Sequence, residues 1–161
     1  MKERKKVLWV IGDSTLSSFN DKYYYPRYGY GTKLAAYLDD AVEVKNIALS
    51  GRSSKSYTTE PQYKELTGGM QKGDFLLIGF GHNDEKTEEA RFTSAQGDYK
   101  TAGSFAASLY DNYIVPAQKA GCQVILCTPI VRRTKTGEWN AQDLHCLLYT
   151  SPSPRDMRRS R

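Results

Sequence analysis

The sequence predicts a single α/β domain built around a parallel β-sheet that is covered by helices. Residues 7–11 form an uninterrupted apolar run that ends at Gly12, which is typical of a short strand buried on both faces. Similar runs occur at residues 75–80 and 122–128, and segments with helical spacing lie between them. Alternating strands and helices indicate a parallel sheet, and a length of 161 residues fits one domain with its own core.

The predicted elements follow one another in a regular order. The second strand, residues 42–49, is interrupted by the polar residues Lys45 and Asn46, which favours a place near an edge of the sheet. Pro116 cannot donate a backbone hydrogen bond and is expected to bend the longest helix or to end its regular part. The other predicted elements are a strand at 7–11, a helix from Thr32 to about Leu38 with Thr32 as its cap, a helix at 62–70, a strand at 75–80, a helix at 101–120 and a strand at 122–128.

The net charge of +5 is concentrated at the two ends of the chain. Residues 1–6 contribute +3 and residues 152–161 another +3, which leaves −1 for the rest. Because residues 7–151 have no excess positive charge, they do not favour nucleic-acid binding. The apolar runs are shorter than a membrane span, and the first of them is too short for the core of a signal peptide. The sequence as written therefore predicts a cytoplasmic protein, with a secreted or periplasmic location as the alternative if a leader is missing.

Two of the three cysteines lie on the last predicted strand. Cys122 and Cys127 are five positions apart, so their side chains are expected to point to opposite faces of the sheet and cannot form a disulfide with each other. The sequence contains no Cys-x-x-Cys spacing of the kind used for zinc binding or redox chemistry. We therefore expect two buried thiols.

Polar groups follow three of the predicted strands at the end where the chain leaves the sheet. Ser14 follows the first strand, Gly51 lies in a small-residue loop after the second, and Asn83 follows the third. Because the carboxyl ends of parallel strands meet at one edge, these groups are expected to border one crevice. A hydroxyl, a backbone N–H and a carboxamide suit acyl transfer, in which the hydroxyl attacks an ester carbonyl and the donors stabilise the oxyanion. Taken singly, Ser14 could be a helix N-cap and residues 50–56 an ordinary strand-to-helix loop.

Two other motifs have competing interpretations. The aromatic loop between the first strand and the first helix could pack on that helix or form a platform for a sugar; its tyrosines are Tyr23, Tyr24, Tyr25, Tyr28 and Tyr30. Residues 29–33 resemble a phosphate-binding loop, but they lack its full glycine spacing and do not follow a strand directly.

Four segments, each placed after its own predicted strand, resemble those of the SGNH (GDSL-type) hydrolases and within them the rhamnogalacturonan acetylesterases. They are Gly-Asp-Ser-Thr at 12–15, Gly-Arg-Ser-Ser-Lys-Ser at 51–56, Gly-His-Asn-Asp at 81–84 and Thr-Pro-Ile-Val-Arg-Arg at 128–133, and the resemblance covers about residues 7–139. It implies Ser14 as the nucleophile and an oxyanion hole formed by the Ser14 amide, the Gly51 amide and the Asn83 side chain.

The same resemblance implies a flavodoxin-like α/β/α fold in three layers and an enzyme that deacetylates pectic or related polysaccharides. It implies an acetylated carbohydrate or a small ester as substrate. No metal or organic cofactor is expected, and neither nucleic acid nor a membrane is expected as a partner.

The family's last motif, Asp-x-x-His, is not found in this sequence. That motif provides the general base without which a serine is a poor nucleophile. His82 precedes Asn83 and is expected to be structural, while His145 follows Asp143 at a spacing one residue too short and lies too soon after the fourth strand. Residues 146–161 lack periodicity and are expected to be a non-native or disordered tail.

We therefore expect residues 1–145 to form a partial domain that lacks its last strand and helix. This chain should be nearly inactive, poorly soluble and weakly stable, with an exposed apolar edge at residues 124–126. The main alternative is a non-catalytic carbohydrate-binding domain on the same fold that uses the aromatic loop and Arg52. A nucleotide-binding domain is disfavoured because no full glycine fingerprint follows the first strand.

Overall fold

A sheet of four parallel strands organises the molecule. The computed structural model describes residues 4–19 and 26–130. The strands are β1 (Lys6–Gly12), β2 (Val42–Asn46), β3 (Phe75–Gly79) and β4 (Gln123–Leu126). Their order is β2-β1-β3-β4, and every neighbouring pair is parallel. This is the order of the first four strands of flavodoxin-like folds, which confirms the predicted fold class and the place of β2 at an edge.

Helical segments connect consecutive strands. They are a 3-10 segment at Tyr30–Tyr37, a 3-10 turn at Ser56–Thr59, helix α1 (Pro61–Gly69), helix α2 (Phe105–Leu109), a π-helical turn at Tyr110–Ile114 and helix α3 (Val115–Ala120). The helix expected from Thr32 is thus a 3-10 helix. Its predicted cap is wrong, because the Thr32 hydroxyl donates to the carbonyl oxygen of Gly29 at 2.8 Å.

The long helix begins later than predicted because Ser104 caps it. The Ser104 hydroxyl accepts the backbone N–H of Ala107 at 2.9 Å, so regular helix starts at Phe105 rather than at Thr101. The backbone from residue 101 to 103 forms turns instead.

Pro116 has the expected effect on this helix. Because it lacks an N–H, the carbonyl of Asn112, four residues earlier, receives no hydrogen bond from it. The Tyr63 hydroxyl of α1 donates to that carbonyl at 3.0 Å instead. The π-helical turn ends at Ile114, two residues before Pro116. A side-chain donor from a neighbouring helix thus satisfies the backbone group that proline leaves open.

The sheet is buried on both faces. Alternate residues of β1 pack into two separate core clusters. In the first cluster, Trp9 and Ile11 pack with α1 and the helical region 105–120. In the second cluster, Leu8 and Val10 pack with Leu16. The two cysteines of the β4 region follow the same alternation. Cys122 lies in the first cluster and Cys127 packs against the second, which confirms that they point to opposite faces. Cys122 is buried and Cys127 half-buried.

A buried carboxylate fixes the amino-terminal end of the sheet. The Asp74 side chain, fully buried just before β3, accepts hydrogen bonds from Arg4 at 2.7 Å and from the Val7 amide at 3.0 Å. Trp9 Nε1 at 3.4 Å and the Gln71 amide at 3.0 Å complete the set. Burial by itself raises the pKa of Asp74, but these four hydrogen bonds together outweigh it and hold the pKa below its usual value.

Strand β4 lies at the edge of the described sheet. Its side chains Ile125 and Leu126 are 43% and 46% exposed, as expected for them, whereas Val124 is half-buried and packs against the first core cluster. The predicted tail at 146–161 lies outside the described residues. No helix within the described ranges is both long enough and apolar enough to cross a lipid bilayer.

Candidate active site

Strand β1 ends at Gly12, a position that has no room for a side chain. Gly12 pairs with Gly79 of β3, and a Cβ built on Gly12 would lie 2.3 Å from the Gly79 carbonyl oxygen. The next residue, Asp13, donates its backbone N–H to the same oxygen at 3.3 Å. The two strands therefore approach closely where the chain turns out of the sheet, and this approach sets the place of the following serine.

Asp13 folds the backbone around Ser14 into a tight turn. Its carboxylate accepts the Thr15 amide at 2.9 Å and the Thr15 hydroxyl at 2.8 Å, while its carbonyl accepts the amides of Leu16 and Ser17 at 3.1 Å each. Asp13 is buried and Ser14 half-exposed, so the turn presents the serine at its tip. The alternative in which Ser14 caps a helix is wrong, because the described residues after it form this turn and no helix.

Gly51 lies in the loop that follows β2. The loop is joined to β1 where the Leu49 amide donates to the Gly12 carbonyl at 3.0 Å. Gly51 has φ +79°, in the left-handed region, and a Cβ there would meet no atom within 4 Å, so this side of the loop is open. Within the described part of the chain, the Gly51 amide makes no hydrogen bond, whereas its carbonyl accepts one from Arg91 at 3.4 Å.

Asn83 contacts the Gly51 loop directly. Its side-chain nitrogen donates to the Arg52 carbonyl at 3.0 Å, and the residue is only 7% exposed. A carboxamide nitrogen has two hydrogens, so this bond fixes the orientation of the side chain and leaves a second N–H for another acceptor.

The structure thus places the three predicted site residues at the carboxyl edge of three adjacent strands. Asn83 is bonded to the residue after Gly51, and Ser14 lies two residues beyond Gly12, whose carbonyl holds the start of the Gly51 loop. Their roles as nucleophile and oxyanion donors stay predictions, but a hydroxyl, a backbone amide and a carboxamide are groups that acyl transfer uses besides a general base.

Other predicted residues have structural partners. His82 Nε2 lies 2.6 Å from the Ile130 carbonyl oxygen, which fits the structural role expected for it. Arg52 forms an ion pair with Glu60 at 2.8 Å. In the aromatic loop, Tyr30 is half-buried and Tyr28 is 62% exposed. Tyr23–Tyr25 and the Asp143-Leu144-His145 segment lie outside the described residues.

Sequence reasoning missed Asp84, which is fully buried beside Asn83. Its carboxylate accepts the Ser54 hydroxyl at 2.5 Å, the Ser54 amide at 3.0 Å and the Thr93 hydroxyl at 3.0 Å. Burial raises the pKa of Asp84 to about 7, with a smaller upward effect of Asp13, although the hydrogen bonds from Ser54 and Thr93 act in the opposite direction. The signal in the sequence was a carboxylate directly after Asn83, at a strand end.

Comparisons with known proteins bear on the family of this chain. The family model of the GDSL-like lipases/acylhydrolases matches residues 8–150. The chain is 29% identical over 126 residues to the probable rhamnogalacturonan acetylesterase YesY of Bacillus subtilis, covering 78% of this chain and 54% of that protein. It is 35% identical over 79 residues to the rhamnogalacturonan acetylesterase of Emericella nidulans, covering 49% of this chain and 29% of that protein.

A solved structure shows the same fold. The crystal structure of the protein YxiM from Bacillus subtilis superposes with a TM-score of 0.67 at 21% identity, covering 91% of this chain and 40% of that one. The chain spans about half or less of the length of the curated relatives it matches. Because the family model matches most of its residues, this chain belongs to the family of GDSL-like lipases and acylhydrolases.

Proposed function

We propose that this chain is the part of a serine esterase that contains the nucleophile and the oxyanion hole, and that the whole protein deacetylates rhamnogalacturonan or a related carbohydrate. The observation that carries the proposal is the bond of Asn83 to the Arg52 carbonyl, beside Gly51 and at the same sheet edge as Ser14. The substrate class is supported by relatives named rhamnogalacturonan acetylesterases.

In the proposed reaction, Ser14 Oγ attacks the carbonyl carbon of an acetyl ester. The carbonyl electron pair moves onto its oxygen, which accepts hydrogen bonds from the Ser14 amide, the Gly51 amide and Asn83 Nδ2. The C–O bond to the sugar then breaks, and the sugar oxygen takes up the proton that the serine lost. Water releases acetate from the acetyl-serine in the second half of the reaction.

The proton transfer needs a general base. This sequence contains no Asp-x-x-His, and His82, whose Nε2 lies 2.6 Å from the Ile130 carbonyl oxygen, is expected to be structural. The chain on its own is therefore proposed to hydrolyse esters slowly, with the residual acceleration that an oxyanion hole gives when a triad member is missing.

Hydrolysis of 4-nitrophenyl acetate tests this proposal. Four proteins are compared: this chain, a longer version that includes an Asp-x-x-His segment, and the Ser14→Ala variant of each. We expect weak turnover by the chain, a much faster rate for the longer version, and loss of the rate in both when Ser14 is replaced. A longer version that keeps its rate as Ser14→Ala would show that the mechanism is wrong.

A carbohydrate-binding domain without catalysis is the second candidate. Tyr28 is exposed, its ring lies 4.8 Å from the Lys33 ammonium, and the nearby Tyr30 amide is bonded to the Thr15 carbonyl at 2.8 Å. An exposed tyrosine beside the Ser14 turn would suit a sugar ring. This candidate predicts saccharide affinity that survives Ser14→Ala and no turnover by the longer version.

A further inference from the structure

Two adjacent residues join the loop after β3 to the loop after β2. Asn83 donates to the Arg52 carbonyl at 3.0 Å, and Asp84 accepts the Ser54 amide at 3.0 and 3.2 Å through its two oxygens. The loop that contains Gly51 is therefore held at two residues: Arg52 accepts a hydrogen bond from Asn83, and Ser54 donates one to Asp84. Both contacts are buried or partly buried.

Ser54 is the point at which this loop is anchored. It is fully buried, and its hydroxyl donates to Asp84 at 2.5 Å. Because a hydroxyl has one proton, the Ser108 hydroxyl must be the donor in its 2.8 Å bond with Ser54 Oγ. The Ser54 carbonyl accepts the Tyr113 hydroxyl at 2.6 Å. The amide, hydroxyl and carbonyl of Ser54 are thus all bonded, and the first two depend on one carboxylate.

The Asp84 carboxylate has no cationic partner among the described residues. It accepts only neutral donors, from Ser54 and Thr93, although burying a carboxylate is costly. Its Oδ1 accepts all three donors, and Oδ2 shares the Ser54 amide at 3.2 Å. A carboxamide in its place would offer one oxygen and turn an NH₂ toward a donor.

We propose that Asp84 is a positioning residue of the site, whose carboxylate holds Ser54 so that the Gly51 amide and the Asn83 carboxamide converge on one carbonyl oxygen. The inference rests on the proposed function. Asp84 is linked to both proposed oxyanion donors. It follows Asn83 directly in the chain, and it binds Ser54, which lies three positions after Gly51. Loss of the carboxylate would displace the donors, and small displacements reduce the rate more than they reduce substrate binding.

The experiment measures kcat and KM for 4-nitrophenyl acetate in a form of the protein whose hydrolysis depends on Ser14. We expect Asp84→Ala to lower kcat about 100-fold and to change KM less than about threefold. Asp84→Asn, which keeps one acceptor, should be intermediate. In a double variant, Asp84→Ala should lower kcat by a smaller factor once Asn83→Ala has removed one of the two donors that Asp84 positions, because the residues are coupled.

Asp74→Ala is the matched control for lost stability. Asp74 is equally buried and accepts backbone and side-chain hydrogen bonds, but it lies at the opposite end of β3. The Asp74→Ala substitution should lower the melting temperature of the protein, while the molecules that remain folded keep their kcat. If Asp84→Ala does not fold, Ser54→Ala removes the hydroxyl bonds to Asp84 and Ser108, keeps the amide bond to Asp84, and should lower kcat about tenfold.

The outcomes separate the two proposals. Activity that survives Ser14→Ala would overturn the proposed function, and this inference with it. If Ser14→Ala is inactive, the inference alone is wrong when Asp84→Ala (or Ser54→Ala, should that be the variant that folds) keeps kcat. It is also wrong when Asp84→Ala costs the same factor with and without Asn83.

Discussion

The side-chain nitrogen of Asn83 lies 3.0 Å from the carbonyl oxygen of Arg52, which joins two loops that are 31 residues apart in the sequence. The bond uses one of the two carboxamide hydrogens, fixes the orientation of the side chain and leaves the other hydrogen for a second acceptor. A donor fixed in this way does not have to reorient when an oxyanion forms, which is the property that makes such donors effective.

Replacement of Asn83 should therefore affect the rate more than binding. We expect Asn83→Ala to lower kcat for 4-nitrophenyl acetate about 10²–10³-fold, the usual effect of losing one oxyanion donor. Steady-state kinetics on a form with Ser14-dependent activity would measure it. Asn112→Ala is the control, because Asn112 lies on the π-helical turn and its side chain makes only a 3.5 Å contact to Ser108. Equal losses in the two variants would contradict a role for Asn83 as a donor.

Much of the fold could be predicted because buried parallel strands leave a clear pattern. In β1 and β3 nearly every residue is apolar and buried, so the runs at 7–11 and 75–80 could not be mistaken for surface segments. The sheet edge that collects Ser14, Gly51 and Asn83 then followed from the parallel arrangement alone.

What could not be predicted depends on contacts between distant residues. The 3-10 geometry after Tyr30 has no periodic signal of its own. The Ser104 cap competed with equally suitable polar residues before it. The buried carboxylate of Asp84 is defined by Ser54, which is 30 residues away. Spacing in the sequence contains no information about which donors such a group will meet.

Two neighbouring glycines of α1 should respond in opposite ways to alanine. A Cβ on Gly68 would meet nothing within 4 Å, so Gly68→Ala should raise the free energy of unfolding by about 0.5–1 kcal/mol. A Cβ on Gly69 would lie 2.6 Å from the ring of Trp9, which is only 2% exposed and cannot move aside. Gly69→Ala should lower the free energy of unfolding by about 1–3 kcal/mol. Urea denaturation measures both, and a stabilising Gly69→Ala would show that α1 does not pack on Trp9 as described.

Stability should fall as pH rises from about 4 to 7 through the contribution of Asp84. Its pKa of about 7 in the folded state lies above the ordinary 3.8, so the folded protein binds this proton more tightly than the unfolded chain. The stabilisation is complete below the unfolded pKa and is lost as pH rises through the folded one, at up to about 1.4 kcal/mol per pH unit.

Urea midpoints at pH 5, 6, 7 and 8 would reveal this contribution. The difference between the protein and its Asp84→Asn variant isolates the group, because Asp74, whose pKa is lowered, titrates at more acid pH and is common to both. If the urea midpoint of Asp84→Asn changed with pH as that of the unchanged protein does, Asp84 would not be the group that makes stability fall as pH rises.

The most direct test of the proposed nucleophile is to look for its acetyl intermediate. The chain is incubated with 4-nitrophenyl acetate, quenched in acid, digested and analysed by mass spectrometry. 4-Nitrophenolate leaves readily without a general acid, whereas hydrolysis of acetyl-serine needs a base to activate water, and no Asp-x-x-His is present. We therefore expect the intermediate to accumulate as one acetyl group on Ser14, to decrease in Asn83→Ala and to be absent from Ser14→Ala. Acetylation that is spread over lysines and tyrosines and is unchanged by Ser14→Ala would contradict the assignment of Ser14 as the nucleophile.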